Sequence, residues 1–439
     1  MVSRAALERL IPESGQAYDV VVAGGGPAGI GAAVAAARNG AKTLLLEARS
    51  FFGGVAGVAP WMPMNRLLLN GGPRGGVLDL FVEKVKAHGS DAYTAGRHNS
   101  VDGDGLDIHP EFLKLAIFEL LEENGVHYRL HSPVTGVLMD GDRVTGVVVT
   151  GKGRKHEFPA RVVVDASGDG DVAYLAGAEM VEGREEDGRH MPSTLLFTLA
   201  NVDVDRLLEY WQDSRQEFRA LIQAAAREGY SVAPWYSFDR TTLPGVVGVN
   251  NGALIDIGEI DATRPRDMTI ADRLGLEVAH DFVRLARDKR IPGLENCYLL
   301  STGATVGVRD TRRIVGEYVL TLEDAQTGPE FEDVVARKYG AIDAVQLFQG
   351  RMKSGFAYPY RCLLPKRIDN LLVAGRCGSA TFLGHAAGKS MGNMMEIGQA
   401  AGAAAALCSQ KDIAPRQLDV KELQAVLVSM GAKLWPETV

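Results

Sequence analysis

This chain of 439 residues has only four cysteines, no excess of basic charge and no long apolar run. The four cysteines, Cys297, Cys362, Cys377 and Cys408, form no C-x-x-C pair and have no histidine at zinc-binding spacing. This pattern argues against a disulfide framework and against a zinc site, and we expect no metal centre. Unpaired cysteines favour a reducing compartment, so we expect a cytoplasmic protein.

Charge and hydropathy exclude two further classes of protein. The net charge is −8, whereas a nucleic-acid surface needs a strong basic excess. Met1 to Gln16 is mixed and charged, so it predicts no signal peptide. The most apolar late stretch, Ala400 to Cys408, is far shorter than the roughly 20 residues that span a bilayer. We therefore expect neither a nucleic-acid partner nor a membrane span.

Glycine is the residue in excess, with 51 positions, well above its average usage. The glycines follow no collagen-like period, so we expect them at tight turns and where the backbone approaches a ligand. Apolar residues make up 46% and charged residues 23% of the chain, as in ordinary soluble globular proteins. A chain of this length predicts about two or three domains.

The N-terminal segment predicts a strand, a glycine turn, a helix and a second strand. Residues 18–23 are a short, β-branched apolar run that suits a buried parallel strand. Residues 28–39 are rich in alanine and favour a helix that Gly40 would end, and residues 43–47 form the second strand. This order is the opening of a doubly wound α/β fold.

Between the first strand and the helix lies a G-x-G-x-x-G sequence, Gly24-Gly25-Gly26-Pro27-Ala28-Gly29. In this setting it predicts a dinucleotide site: Gly24 permits the turn, Gly26 lets the backbone approach a pyrophosphate, and Gly29 permits close packing. The helix N-terminus faces the phosphates. Glu47, at the end of the second strand, would bind the adenosine ribose and disfavour a 2′-phosphate. The alternative is a glycine-rich turn of an unrelated α/β protein.

Two later segments also join a strand to a turn of small residues. Val162–Gly170 contains Asp165-Ala166-Ser167-Gly168, and Gly168–Ala173 imitates a second dinucleotide loop. The strands before it look like a meander, which disfavours a second dinucleotide domain. Asn370–Cys377 is followed by Lys389–Met395 at the start of an Ala/Gly-rich helix, whose N-terminus can face an electron-rich ring edge.

These motifs, in this order and spacing, resemble the FAD-dependent oxidoreductases of the glutathione-reductase-like Rossmann group. Residues 19–29, Leu46–Arg49 and the pair Gly53-Gly54 are similar to its FAD fingerprint. Residues 307–321, 359–365 and 370–377 are similar to a bacterial subfamily known as FAD-dependent oxidoreductase. The resemblance implies FAD as the cofactor.

The resemblance covers most of residues 17–178 and 300–408 and implies a set of cofactor-binding residues. These are Gly24, Gly26, Pro27, Ala28, Gly29, Glu47, Ala48, Gly53, Gly54, Val134, Ala166, Ser167, Gly168, Gly375, Arg376, Cys377, Ser390, Gly392, Asn393 and Met394. Cys377 would either pack beside the flavin or attach it covalently, and without a C-x-x-C partner a disulfide-reductase role is disfavoured. Residues 378–390 depart from the charged, arginine-containing segment of the subfamily, so the substrate is not carried over.

The middle of the chain changes character and contains no glycine-rich phosphate loop. Charged amphipathic helices are expected at 206–228, strands at 246–259 and a long helix at 271–289. We interpret this region as an inserted α+β substrate or cap domain. The predicted organisation is a FAD-binding domain at 1–178, the cap domain at 179–299, the returning FAD-binding part at 300–413 and a C-terminal helix at 414–439.

Four residues are candidates for chemistry beside the flavin: His385, Tyr358, Arg361 and Arg309. His385 lies in a glycine-flanked loop and is either a general acid or base near pH 7 or a turn histidine bonded to backbone. Tyr358 and its neighbour Tyr360 either donate a proton or stack on substrate, or pack in the core. Arg309 and Arg361 either clamp a substrate carboxylate or pair within the chain or with the cofactor phosphates.

The sequence thus predicts an α/β enzyme with a Rossmann-type FAD-binding domain and an inserted cap domain. The predicted reaction is hydride transfer between a small organic substrate and flavin N5, with an acid–base side chain moving the accompanying proton. The alternatives are a monooxygenase with transiently bound NAD(P)H and a non-catalytic electron carrier, which would not need the large inserted domain. Expected partners are the substrate and an electron acceptor such as O₂, a quinone or another protein.

Overall fold

A computed structural model describes residues 3–94, 104–250, 260–345 and 347–435. The helices are α1 (Arg4–Leu10), α2 (Pro27–Arg38), α3 (Val55–Val58), α4 (Gly76–Ala87), α5 (Pro110–Glu123), α6 (Asp171–Leu175), α7 (Val204–Asp213), α8 (Arg215–Arg227), α9 (Pro265–Asp288), α10 (Leu322–Thr327), α11 (Phe382–Ala386), α12 (Met391–Lys411) and α13 (Val420–Ser429). Within these ranges, none of the helices is long and apolar enough to cross a membrane.

The strands are short apart from three consecutive ones in the main sheet. They are β1 (Tyr18–Ala23), β2 (Thr43–Leu46), β3 (Met62–Met64), β4 (Tyr93–Thr94), β5 (Leu106–Ile108), β6 (His127–Arg129), β7 (Val134–Asp140), β8 (Arg143–Gly151), β9 (Arg154–Asp165), β10 (Met180–Glu182), β11 (Phe197–Ala200), β12 (Ser237–Arg240), β13 (Val247–Asn250), β14 (Tyr298–Thr302), β15 (Arg312–Ile314), β16 (Val334–Lys338), β17 (Ile342–Asp343), β18 (Gln349–Gly350), β19 (Phe356–Pro359) and β20 (Leu371–Val373).

The main sheet is parallel at its centre, as a doubly wound fold requires. The order β6-β2-β1-β9 continues into β20 on the far side of β9, and these pairings are all parallel. The N-terminal half of β9 instead pairs antiparallel with β8, which pairs antiparallel with β7. The α/β fold class expected from the sequence is confirmed.

The longest strand, β9, contains a proline in its interior. Pro159 pairs with Gly146 at the point where the strand changes partner from β8 to β1. A proline is tolerated there because the ladder hydrogen bonds are changing partner at that residue.

Helices α2 and α12 pack backbone against backbone on the main sheet. A Cβ atom at Gly398 would lie 1.9 Å from the Ala28 carbonyl oxygen, and one at Gly402 would lie 2.0 Å from that of Ala32. Any side chain at these positions would therefore push the helices apart. This close packing fixes the start of α12 against the glycine turn that precedes α2.

The middle of the chain forms a second unit with its own core. Its antiparallel sheet has the order β12-β13-β11-β14, and Phe197, Phe238 and Phe282 belong to a hydrophobic cluster distinct from that of the main sheet. Because β14 belongs to this sheet, the unit extends slightly past the predicted boundary at residue 299. Of the strands expected at 246–259, β13 is present, and residues 251–259 lie outside the described ranges.

Candidate flavin and substrate site

A cavity of about 1160 Å³ lies between the carboxyl ends of the central parallel strands and the second sheet. This volume exceeds the roughly 300–1,000 Å³ of a typical ligand pocket, so it has room for a dinucleotide and a second molecule. Ligands of open α/β sheets bind at these strand ends. The predicted FAD residues that line the cavity are Gly24, Gly26, Pro27, Ala28, Glu47, Ala48, Gly54, Val134, Ala166, Ser167, Gly168, Gly375, Arg376, Ser390 and Met394.

The glycine turn before α2 has three glycines with three different surroundings. Gly24 has φ +102°, and a Cβ there would lie 2.4 Å from the Ala166 carbonyl oxygen. A Cβ at Gly29 would lie 1.7 Å from the Gly24 carbonyl oxygen. At Gly26, by contrast, the nearest atom to a Cβ would be Gly54 Cα at 3.9 Å. Gly26 thus leaves an open cradle in front of α2.

The N-terminus of α2 faces that cradle with its backbone donors. Gly26 is the N-cap residue and supplies no side-chain hydrogen bond, and Pro27 occupies the first turn. The N–H groups of the first turn are therefore available to an anion, and the helix dipole favours one there. These features fit the pyrophosphate of FAD.

Glu47 is held in place by backbone donors at the end of β2. Its Oε2 accepts the Gly25 N–H at 2.8 Å, and its Oε1 accepts the Arg49 N–H at 2.8 Å. The carboxylate is nearly buried, lines the cavity and keeps further lone pairs on both oxygens. It is therefore oriented with lone pairs available to hydrogen-bond donors of a ligand in the cavity.

The remaining predicted FAD residues lie behind the cavity wall. Gly29 and Gly53 support the glycine turn, and the Gly53 N–H donates to the Gly25 carbonyl at 2.8 Å. A Cβ at Gly392 would lie 1.9 Å from the Arg66 carbonyl oxygen. These glycines therefore shape the site through packing rather than by touching a ligand.

Two side chains expected at the flavin are likewise turned away from the cavity. The amide of Asn393 bonds to Arg74, Tyr339 and the Gly388 carbonyl, so all its polar atoms are engaged in the protein. Cys377 is fully buried, and burial raises the pKa of its thiol well above the ordinary value. A covalent flavin link through Cys377 has no support in this geometry.

The turn after β9 is braced by an aspartate that caps a helix. Asp165 accepts the N–H and the hydroxyl of Ser167 and the N–H of Ala173 at the start of α6. Asp169 pairs with Arg376 at 2.6 Å. This capping explains why the sequence imitates a second dinucleotide loop, and it positions Ala166 to Gly168 at the cavity.

His385 lies in the cavity wall. Its Nε2 is 3.0 Å from the Arg309 carbonyl oxygen, an acceptor, so the ring donates a proton there. Burial and the nearby Arg313 hold the pKa of His385 well below its ordinary value, so the ring is neutral. Arg309 lines the same cavity, and burial lowers the pKa of its guanidinium.

Tyr358 and Arg361 do not reach this cavity. Tyr358 is buried in the core, and a Cβ at Gly378 would lie 2.8 Å from its hydroxyl oxygen. Arg361 lies on the surface with its side chain 47% exposed, and its Nε is 2.9 Å from an Asp333 carboxylate oxygen. In the structure, therefore, Tyr358 packs in the core and Arg361 pairs within the chain. The sequence had also allowed a substrate contact for each of them.

Two charged residues that the sequence did not single out do line the cavity. Asp239 is 2% exposed, and burial raises the pKa of its carboxyl to about 7. Its neighbour Phe238 packs into the core of the second unit, so the alternation of β12 turns Asp239 to the other face. Lys389 lines the cavity just before α12. Two features of the sequence could have indicated these residues. Asp239 is a charged residue inside a short strand, and Lys389 is a lysine just before a buried helix.

Two members of a separate cluster of metal-ligating side chains pair with other groups of the protein. Glu182, His190 and Asp261 bring ligand atoms within 4.8 Å of one another. His190 Nδ1 is 3.2 Å from Asp310, and Arg264 lies 2.9 Å from Asp261. Hydrogen bonding to Asp310 raises the pKa of His190, which favours a charged histidine over a metal ligand.

Comparison with known proteins decides the family. Residues 19–427 match the family model described as FAD dependent oxidoreductase. The chain belongs to this FAD-dependent oxidoreductase family. FAD is thereby its cofactor, in agreement with the cradle at Gly26 and the carboxylate of Glu47.

Curated relatives match the chain over part of its length. A digeranylgeranylglycerophospholipid reductase from Picrophilus torridus is 30% identical over 204 residues, which is 43% of this chain and 48% of that protein. A digeranylgeranylglycerophospholipid reductase from Methanococcoides burtonii is 25% identical over 192 residues, 43% of this chain and 46% of that protein. The match thus spans about half the length of these reductases.

Solved structures share the fold over nearly the whole chain. A geranylgeranyl bacteriochlorophyll reductase-like protein from Thermoplasma acidophilum gives a TM-score of 0.52 at 16% identity, covering 94% of this chain and 84% of that one. A p-nitrophenol 4-monooxygenase from Pseudomonas putida gives a TM-score of 0.50 at 13% identity, and the match covers 94% of this chain and 85% of that one. At these identities the likeness concerns the fold.

Proposed function

We propose that this FAD-dependent oxidoreductase transfers a hydride between a small organic substrate and flavin N5 inside the cavity described above. The observation that carries the proposal is the extent of the cavity. It begins at the glycine cradle and continues past the predicted flavin residues to the wall formed by β12. The curated relatives are named as reductases, which supports two-electron chemistry on an organic molecule.

The nucleotide part of FAD would be held mainly by backbone groups. The N–H groups at the start of α2 would bind the pyrophosphate in the space that Gly26 leaves open, and Glu47 would bind the adenosine ribose. Ser390 and Met394, at the start of α12, would border the ring system. When bound, FAD supplies a two-electron acceptor or donor, and the protein supplies position, protons and electrostatics.

The substrate would lie between the flavin and the second sheet. Asp239 is placed to hold or accept a proton there, because its carboxyl is buried, faces the cavity and titrates near neutral pH. The sequence offered His385 for this role, with a turn histidine bonded to backbone as the alternative. We propose instead that the neutral His385 ring positions Arg309 through the hydrogen bond from Nε2 to the Arg309 carbonyl.

The second unit would act as the substrate cap, with β10 to β14 and α7 to α9 as its main elements. Its own hydrophobic core supports this role, because a wall built on a separate core can differ between enzymes without disturbing the flavin domain. The four cysteines are all free and buried, which supports a cytoplasmic location. The reaction would need a second partner that exchanges electrons with the flavin, such as O₂, a quinone or another protein.

Anaerobic mixing of the purified yellow protein with candidate organic substrates tests the proposal. We expect bleaching of the flavin absorbance by a small organic molecule in the absence of NAD(P)H. Bleaching by NAD(P)H alone, followed by oxygen-dependent hydroxylation, would identify a monooxygenase instead. A protein that is reduced only by another protein would be an electron carrier, and the proposal would be wrong.

A further inference from the structure

Gly248 lies in the middle of the second sheet, with a polar side chain on either side of it. Asp239 on β12 lies directly opposite Gly248, and Thr198 on β11 lies opposite it from the other side. Directly opposite residues point their side chains to the same face of a sheet. Phe238 and Val249, the next residues along β12 and β13, pack in the core of the second unit. Asp239 and Thr198 therefore flank Gly248 on the face turned away from that core.

The space above Gly248 is filled by Trp61, the residue before β3. A Cβ at Gly248 would lie 2.8 Å from Cδ1 and 3.2 Å from Cγ of the indole, closer than a side chain can approach without displacing the ring. The ring is also held from its own side, since it packs edge-on against His109 with 6.0 Å between the ring centres. Only glycine at position 248 thus admits the indole onto this face of the sheet.

The indole shields the Asp239 carboxyl. The Cβ atoms of directly opposite residues lie about 4.5–5.5 Å apart, so a ring seated on Gly248 lies beside the Asp239 side chain. Trp61 is 3% exposed and Asp239 is 2% exposed. Asp239 lines the cavity and Trp61 lies behind the lining, so the carboxyl meets the cavity on one side and the indole on another.

Trp61 contributes apolar bulk rather than a hydrogen bond. Among the residues that the structure describes, its Nε1 has no hydrogen-bond acceptor. This difference decides the direction of its effect on Asp239. A hydrogen bond to the carboxylate would favour the charged form, whereas apolar bulk that excludes water favours the protonated form.

Ionisable groups on the elements next to Asp239 include Arg240, His109 and Asp107. Arg240, the next residue along β12, points to the other face and pairs with Asp205. Burial lowers the pKa of His109, so the ring beside Trp61 is neutral at pH 7. Asp107 lies on β5, and its ladder partner Thr94 donates its hydroxyl to the Arg240 carbonyl at 3.4 Å. Asp107 is thus a second carboxyl near β12, and an experiment must separate its effect from that of Trp61.

We propose that Trp61 is a positioning residue for the reaction, and that it acts by excluding water from Asp239 through the gap that Gly248 leaves. The inference rests on the proposed function, since it takes Asp239 as the group that holds or accepts the proton. Burial raises the pKa of Asp239 to about 7, in agreement with this shielding. A carboxyl that titrates near neutral pH can both hold and accept a proton, whereas a solvated aspartate is ionised at pH 7 and is a weak base.

The test follows the Asp239 carboxyl directly in the FAD-loaded protein, by ¹³C NMR with aspartate labelled at Cγ. Asp239→Asn identifies the signal. We expect Trp61→Ala to lower the titration midpoint by about 1–3 pH units, because water then reaches the carboxyl. Trp61→Phe keeps an apolar ring, so its midpoint should lie between those of the wild type and Trp61→Ala. Gly248→Ala retains the tryptophan but displaces it, and it should also lower the midpoint.

The matched control removes bulk from the opposite face of the same sheet. Phe197 packs in the core of the second unit, next to Thr198 on β11. Phe197→Leu should therefore lower the melting temperature and leave the Asp239 titration unchanged. The same variants are then compared in the pH dependence of substrate-dependent flavin reduction. There the limb due to Asp239 should move with the NMR midpoint.

The inference is wrong if Trp61→Ala and Gly248→Ala retain FAD and leave the Asp239 midpoint at its wild-type value. If Trp61→Ala does not fold, Trp61→Phe and Gly248→Ala decide in the same way. A wild-type midpoint near 4 would also contradict the inference, because the carboxyl would then be solvated. The same holds if Phe197→Leu lowers the midpoint as much as the Trp61 variants do.

Two further outcomes separate the possible causes. A lower midpoint in Asp107→Asn, together with no change in the Trp61 variants, would assign the effect to a neighbouring charge and overturn the inference. A shifted midpoint in a protein that no organic substrate reduces would leave the shielding of Asp239 standing and disprove the proposed function.

Discussion

The two ends of the cavity are built in different ways. At the end proposed for the nucleotide, the groups come from neighbouring segments, since Gly24 to Gly29 and Glu47 lie within one βαβ unit. At the end proposed for the substrate, Asp239, Arg309 and Lys389 come from β12, from a loop before β15 and from the residue before the N-cap of α12. A local motif carries its own geometry, whereas a site assembled from distant segments depends on how the whole chain packs.

The largest effect is expected at Gly26. Gly26→Val should abolish FAD binding, because the side chain would fill the space in front of α2 that the pyrophosphate needs. The measurement is the ratio of flavin to protein absorbance after purification, with the released cofactor identified by chromatography. A valine variant that purifies with a full complement of FAD would place the pyrophosphate elsewhere.

Gly26→Ala and Gly29→Ala separate loss of cofactor from loss of fold. A Cβ at Gly26 meets no protein atom closer than 3.9 Å, whereas one at Gly29 lies 1.7 Å from a carbonyl oxygen. The melting temperature of the apo-protein should therefore be unchanged by Gly26→Ala and lowered by Gly29→Ala. Equal melting temperatures would contradict the packing described for this turn.

The next largest effect is expected at Asp239, the residue proposed to hold or accept a proton beside the substrate. Asp239→Asn should retain FAD and lower the rate of substrate-dependent flavin reduction by about 10²–10⁴-fold, the usual contribution of general acid–base catalysis. Rapid mixing under anaerobic conditions measures this rate. His385→Ala is the comparison, and if it shows the loss while Asp239→Asn reacts normally, the histidine carries the proton as the sequence suggested.

The same carboxyl should make stability depend on pH. Burial raises the pKa of Asp239 to about 7 from an ordinary value of 3.8, so the folded state binds the proton more tightly than the unfolded state. Its contribution to stability is full below about pH 4 and is lost as the pH rises to about 7, by at most about 4 kcal/mol. Denaturant unfolding across this range should show that loss in the wild type and its absence in Asp239→Asn. Parallel pH profiles for the two proteins would mean that the carboxyl is solvated.

The glycine turn could be predicted from the sequence because part of its steric requirement is local. A Cβ at Gly29 would meet the Gly24 carbonyl oxygen within the motif itself, whereas one at Gly24 would meet the carbonyl oxygen of the distant Ala166. Asp239 and Lys389 could not be assigned in this way. Their positions follow from the packing of β12 and α12 around the cavity, and neither has a characteristic spacing to another functional residue. For Arg361 the sequence left a substrate contact and intrachain pairing open, and in the structure its side chain pairs with Asp333 at the surface.

A smaller effect is expected at Glu47. Glu47→Ala should weaken FAD binding by roughly 10- to 100-fold, because a hydrogen bond to a charged acceptor contributes about 1.5–3 kcal/mol. Titration of the apo-protein with FAD measures the change in Kd. Glu47→Gln keeps the shape of the side chain and one carbonyl acceptor, so its Kd for FAD should lie between those of the wild type and Glu47→Ala. A loss as complete as that of Gly26→Val would indicate that Glu47 mainly supports the glycine turn through Gly25 and Arg49.

The smallest effect is expected at Arg361. Its guanidinium lies over the Tyr318 ring at 5.0 Å and pairs with Asp333 while half exposed, so Arg361→Ala should cost only about 0–1 kcal/mol of unfolding free energy. FAD content and the KM for the substrate should stay at wild-type values, because the residue lies outside the cavity lining. Steady-state kinetics measure the KM, and denaturant unfolding measures the free energy of unfolding. If Arg361→Ala instead raises the KM for the substrate, the substrate end extends to the surface near Asp333, and the division of the cavity into two ends is wrong.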